Sequence, residues 1–202
     1  MKNLLKKIGI LIMVALMSVS LIACSSGSKG SGGGGGGGKS SKSTPEAALE
    51  AITKAYEDRD AEKAFELMYD PYFLEYMIEE GYDDKEEALE YYAERFEDEI
   101  EEAEDWFGKN LKYSIDVLDK TELDKDEVAA VNRYLYEEYG HIYDDKEVIE
   151  EICILEVETT FEGDKDSDEE EEEGVAYKID GKWYIDNISI YIVEEALDEY
   201  GE

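Results

Sequence analysis

Basic residues are scarce in this chain: 20 Lys and Arg stand against 55 Asp and Glu, for a formal net charge of −35. That balance argues against a nucleic-acid partner, because phosphate binding needs a basic face. It argues equally against attraction to anionic lipid headgroups. Histidine occurs once, at His141, in a stretch that reads as a loop. Nothing in the sequence ties it to a cysteine, so no nucleophile–base pair is indicated. Cysteine occurs twice, at Cys24 and Cys153, and Cys153 sits in an apolar run where a thiol acts as a small core residue. Proline also occurs twice, at Pro45 and Pro71, each directly after a residue suited to cap a helix. No cofactor is expected.

What is present begins with a leader. Lys2, Lys6 and Lys7 precede an apolar run from Ile8 to Ile22, which is short for a membrane span. The run ends in Leu21-Ile22-Ala23-Cys24. This layout resembles a bacterial lipoprotein signal, in which cleavage falls before the cysteine and the cysteine carries the lipid (palmitate-type acyl chains). The resemblance implies that residues 1–23 are removed and that Cys24 anchors the protein to the outer, extracytoplasmic face of the cell membrane. One acyl chain binds a membrane weakly, so stable anchoring needs several. With Cys24 so used, Cys153 has no partner for an intramolecular disulfide. Residues 24–43 are rich in Gly and Ser, with seven consecutive glycines from Gly32 to Gly38. They read as a tether for one domain, residues 44–202.

The domain opens with helices. Thr44-Pro45 starts one that carries Leu49, Ile52, Ala55 and Tyr56. Asp60 starts a second with Ala64, Phe65, Leu67 and Met68, and Asp70-Pro71 a third with Phe73, Leu74, Met77 and Ile78. A long helix from Asp83-Asp84 to about Trp106 buries Leu89, Tyr92, Phe96, Ile100, Ala103 and Phe107. The period then falls to two over Leu111, Tyr113, Ile115 and Val117, as in a half-buried strand. Asp124 with Glu127 forms a capping box for a helix ending at Gly140. Cys153, Leu155, Val157, Thr159 and Phe161 line one face of a long strand. Residues 163–174, almost wholly acidic, are expected to form a loop. Asp180-Gly181 predicts a two-residue hairpin turn of type I′. The return strand holds Trp183 and Ile185 but also Ile188, Ile190 and Ile192, so its parity changes; a bulge at Asp186-Asn187 is expected, or a second surface for a partner. The tail from Glu194 reads as a short helical piece.

Helices followed by antiparallel strands define an α+β class. Pro45-Glu46-Ala47-Ala48, Arg59-Asp60-Ala61-Glu62-Lys63-Ala64 and Lys178-Ile179-Asp180-Gly181-Lys182-Trp183-Tyr184 together resemble small bacterial lipoproteins with an NTF2-like (cystatin-like) domain, over Thr44 to Ile190. The resemblance implies N-terminal helices packed on a curved antiparallel sheet that forms a cone around an apolar pocket. Tyr92, Phe96, Tyr113, Tyr177 and Trp183 are the candidates for its pocket or core. Asp164, Asp166 and Asp168 match the start of a calcium loop, but Glu169 stands where glycine is required, so they are weak metal candidates. Tyr69, Tyr72, Tyr82, Tyr91 and Tyr143 are candidates for exposure and could contact sugars or basic peptides. The expected activity is non-enzymatic binding of a small apolar ligand, a cation, a basic peptide or a protein partner, by a monomer or weak dimer. The alternatives are a small pocket enzyme using acid–base chemistry, which would need a buried carboxyl in the cone, and an acidic cation-binding or adhesion surface.

Overall fold

A computed structural model describes residues 44–143, 147–185 and 188–201. Residues 1–43, with the expected leader, the expected tether and Cys24, lie outside them. The helical half begins with α1 (Pro45–Asp58), α2 (Ala61–Met68), α3 (Pro71–Glu80) and α4 (Lys85–Phe107). Each starts where a side chain satisfies free N–H groups of the first turn. Thr44 accepts from Ala47 N, Asp60 from Lys63 N, Asp70 from Tyr72 and Phe73 N, and Asp84 from Glu86 and Glu87 N. Helix α5 (Lys125–Glu138) carries the full capping box of Asp124 and Glu127.

Four strands, β1 (Lys112–Glu122), β2 (Glu151–Glu162), β3 (Ser167–Ile179) and β4 (Lys182–Ile185), form one antiparallel sheet in that order, with α5 between β1 and β2. The expected α+β class, with N-terminal helices on an antiparallel sheet, is the observed one. Alternation along the strands assigns the two faces. Cys153, Leu155, Val157, Ala176, Trp183 and Ile185 pack with α1 to α4 in one core cluster. Ile152, Val175, Tyr177, Ile179 and Tyr184 pack on the other face with Val128, Val131 and Leu135 of α5 and with Val193 and Ala196 of α6 (Ile190–Tyr200). Asp180 and Gly181 both take positive φ, 50° and 75°, as the type I′ turn requires.

Three expectations are corrected. The acidic stretch 163–174 is not a loop. From Ser167 it is strand β3, paired residue for residue with β2 from Glu162 to Glu151. The low strand propensity of glutamate is overridden by the ladder and by Ala176, Tyr177 and Ile179 further along the same strand. The connection before it is held against the end of α4, where the Phe107 carbonyl accepts from both Lys165 N (2.8 Å) and Asp166 N (3.1 Å). Gly108 at φ 98° permits that approach.

Residues 188–192 do not continue the last strand. β4 ends at Ile185 and α6 begins at Ile190. The change of parity marks a change of period, with Val193 and Ala196 buried at helical spacing. The expected bulge at Asp186-Asn187 falls outside the described residues.

Val117 lies opposite Val157 on the helix-facing side of the sheet but is exposed there. The β1–β2 register shifts between Val117 and Asp119, which leaves Val117 and Leu118 exposed on the sheet's edge strand.

A cleft with an unpartnered carboxyl

The sheet end where β1 begins and β2 finishes is covered by the C-terminal turn of α1 and the second half of α4. Tyr56, Glu57 and Arg59 come from α1 and its cap, and Glu99, Ile100 and Ala103 from α4. With Leu111, Tyr113 and Phe161 they line a cleft of about 40 Å³. Aromatic packing builds its walls. The Tyr56 ring lies 4.7 Å from Phe96 and 5.4 Å from Tyr113, and Tyr113 lies 4.9 Å from Phe161. Arg59, in the left-handed conformation at φ 55°, ends α1 and pairs with Glu104 across the mouth.

Helix α4 brings Glu99 into this apolar setting because Tyr92, Phe96, Glu99 and Ala103 follow a four-three-four spacing along one side. The Glu99 side chain is only 14% exposed. One carboxyl oxygen faces Arg95, with Glu99 Oε1 3.7 Å from Arg95 Nη2. The other, Oε2, is buried and has no hydrogen-bond partner among the described residues. Loss of hydration raises the pKa of Glu99 to about 7, assisted by repulsion from Glu102 and Asp98 and opposed by Arg95.

The Tyr56 hydroxyl is likewise buried, beside that of Tyr92, which donates to Met68 Sδ at 3.4 Å; the two phenols interact through their hydroxyls. Burial raises the pKa of both tyrosines. Thr159 Oγ1, on the same face of β2 as Phe161, is also buried and has no hydrogen-bond partner among the described residues. Unsatisfied buried polar atoms are rare in native proteins, since each costs about 1–3 kcal/mol.

Of the residues singled out in the sequence, Tyr113 lines this cleft, while Tyr92 and Phe96 pack in the adjoining core. Trp183 is buried in that same core. Tyr177 is separated from them: it lies on the opposite face of the sheet and bonds to Asp70. Glu99 and Arg59 were not anticipated, and Tyr56 was expected only as part of the apolar side of its helix. Glu99 stands on the apolar stripe of α4, and that position was its available signal.

The remaining candidates are dispersed. Asp164 and Asp166 lie in the β2–β3 connection and Asp168 on β3; among the described residues, no group of three or more His, Cys, Asp or Glu is placed to hold a metal ion. Tyr69 and Tyr143 are buried, whereas Tyr91 is exposed. His141 packs edge-on against Tyr76 at 5.2 Å. Cys153 is fully buried, and desolvation raises its thiol pKa to about 11. A larger, open notch between α5 and α6 is lined by Tyr134 and four carboxylates, with Tyr134 donating to Glu195 at 2.6 Å. No described helix is long and apolar enough to cross a membrane. Comparison with protein-family models, with curated proteins and with solved structures finds no match.

Proposed function

We propose that the chain is a lipid-anchored, extracytoplasmic binding domain of NTF2-like character, with the Glu99 cleft as its ligand site. Anchoring rests on Leu21-Ile22-Ala23-Cys24. The observation that carries the binding reading is the buried carboxyl of Glu99, one oxygen of which has no hydrogen-bond partner among the described residues, in the wall of an aromatic cleft. A ligand that reached it would offset its desolvation penalty, which gives a reason for keeping it. The size of the cleft sets the scale. A water needs about 10–15 Å³ of such space, so 40 Å³ takes about three waters or one small head group. Full-sized organic ligands occupy about 300–1,000 Å³ and would not fit.

The test has two parts. Cys24→Ala should leave the protein unprocessed or released from the membrane fraction; membrane retention of a correctly cleaved Cys24→Ala chain rules out the anchor. Fragment-sized compounds screened by NMR against the full chain in detergent should shift signals at Tyr56, Glu99 and Tyr113. A screen in which no compound moves them removes the ligand site.

The same carboxyl favours a second reading, a small proton-transfer enzyme. A general base works best with a pKa close to the operating pH, and burial brings Glu99 to about 7. Deprotonation of nitroethane, a small carbon acid, should then rise with pH around 7 and be lost in Glu99→Gln. A rate equal to that of free carboxylate excludes it.

A further inference from the structure

Independently of the Glu99 cleft, we infer that the open edge of β3 takes up an extended, Lys- and Arg-rich segment of a partner protein as a further strand of the sheet. β3 runs from Ser167 to Ile179, whereas β4 pairs with residues 176–179 only. Over residues 167–173 the strand therefore has a neighbour, β2, on one side alone. The ladder fixes which backbone groups point outward. Gly163 N donates to Asp166 O at 3.0 Å, and this bonded pair continues the β2–β3 register. Alternation in an antiparallel ladder then turns the backbone groups of Asp168, Glu170 and Glu172 toward β2 and those of Glu169, Glu171 and Glu173 outward. Glu169 N agrees: it donates to the Asp168 carboxylate at 3.0 Å. The outward amides of Glu171 and Glu173 meet no acceptor among the described residues.

The side chains along this edge select the occupant. Positions 168–173 are acidic without exception, and Glu169, Glu171 and Glu173 are exposed. Glu171 and Glu173 end rows that run through Glu158 and Glu156 on β2 to Asp116 and Asp119 on β1. Like charges repel along such rows, and an opposite charge on the next strand offsets the repulsion. A strand with Lys or Arg opposite Glu169, Glu171 and Glu173 supplies that charge, while its backbone bonds to the two open amides. Main-chain bonds and alternating side-chain contacts are the two parts of recognition by strand addition. The net charge of −35 draws a basic segment in.

Other occupants fit less well. A second copy of β3 would set glutamate against glutamate between two chains of charge −35 each. An apolar strand would leave the acidic rows unbalanced. The chain's own Lys29, Lys39 and Lys42 are too unevenly spaced to face glutamates that recur every second residue. The outer edge of β1 exposes Val117 and Leu118, but the register shift between Val117 and Asp119 interrupts it. Beyond that shift, Lys120 N is already bonded to the Asp119 carboxylate at 2.8 Å. The β3 edge has no such break.

The decisive experiment titrates the isotopically labelled full chain, in detergent at constant ionic strength, with an acetylated and amidated peptide of four Lys-Thr repeats. NMR follows solvent exchange of the backbone amides. Saturable binding is expected, with exchange at Glu171 and Glu173 slowed about tenfold or more. Glu171→Pro removes an outward donor and leaves the β2 ladder intact, because proline is tolerated where its nitrogen faces away from the neighbouring strand. This variant should fold and lose the peptide. Glu171→Gln keeps the donor and should weaken binding several-fold. If Glu171→Pro does not fold, the exchange rates of the parent chain and of Glu171→Gln still decide. Absence of binding overturns the inference, and so does binding that leaves both amides exchanging at their free rates, which is adhesion by charge alone. Protection already present without peptide also overturns it: protection that grows with protein concentration assigns the edge to a second copy, and protection independent of concentration assigns it to the chain's own basic residues.

Discussion

The Tyr177 hydroxyl donates to Asp70 Oδ2 over 2.8 Å, and this bond joins the two sides of the sheet. Tyr177 belongs to the core under α5 and α6, whereas Asp70 links α2 to α3 on the way from the opposite core. Asp70 is fully buried and accepts from Tyr72 N and Phe73 N on Oδ1 and from the Tyr143 and Tyr177 hydroxyls on Oδ2. Two backbone donors and two phenols replace the water that a buried carboxylate loses.

Removing one of those donors should be costly. Tyr177→Phe is expected to lower stability by about 1–3 kcal/mol, the range for leaving a buried polar group short of a partner. Asp70→Ala should cost more, because it deletes the α3 cap and strands both phenols in the interior. Urea unfolding at constant m measures both. An unchanged midpoint in Tyr177→Phe shows that the bond between the two cores does not contribute.

Glu99 makes a prediction of opposite sign. Its pKa rises from 4.5 to about 7 on folding, so the native state binds its proton more tightly than the unfolded chain. The carboxyl therefore penalises the fold increasingly as pH rises from about 4.5 to 7, and fully above that. Glu99→Gln removes the penalty. The variant should be more stable than the parent by about 1–3 kcal/mol at pH 8 and no more stable at pH 4. A stability difference independent of pH would show that Glu99 is not desolvated in the fold.

Most of the architecture was legible because it depends on local signals. Capping residues marked the helix starts at Thr44, Asp60, Asp70, Asp84 and Asp124, and Asp180-Gly181 marked the hairpin. Alternation assigned Cys153 through Phe161 to one face. The acidic half of β3 was not legible, because glutamates on a strand over solvent look like a solvated loop until the partner strand is known. Parity misled at Ile190 and Ile192, where a helix follows a strand and both periods fit a few isoleucines. Tyr177 and Trp183 looked alike in the sequence, yet they lie in different cores. The cleft was the least visible feature. Glu99 was hidden among the acids of α4, and only packing shows that its side of the helix meets Tyr56 and Tyr113.

The acidic half of the sheet should be held together against its own charge. Beyond the region covered by α5 and α6, Glu156 lies opposite Glu173 and Glu158 opposite Glu171, with Asp119 and Asp116 extending these rows onto β1. Like charges directly across a ladder destabilise it by a few tenths to about 1 kcal/mol per pair. Glu171→Lys should therefore raise Tm at low ionic strength. The gain should shrink in 1 M salt, where the screening length falls to about 3 Å. A gain unaffected by salt would assign it to packing or propensity instead of charge.

The two cysteines give a test that joins fold and anchor. Cys153 is fully buried, and its thiol pKa of about 11 against an ordinary 9 lowers the thiolate fraction at pH 8 by about a hundredfold. Native protein should resist iodoacetamide at pH 8 for as long as it stays folded. In urea, Cys153 becomes reactive, and the number of alkyl groups added then reports on Cys24. A sulfur that carries lipid cannot be alkylated, so the proposed anchor predicts one alkylation per chain by mass spectrometry. Two would mean that Cys24 is a free thiol and that the lipid anchor is wrong. Rapid labelling of the native protein at Cys153 would instead show that the sheet opens at β2, the strand that pairs with both β1 and β3.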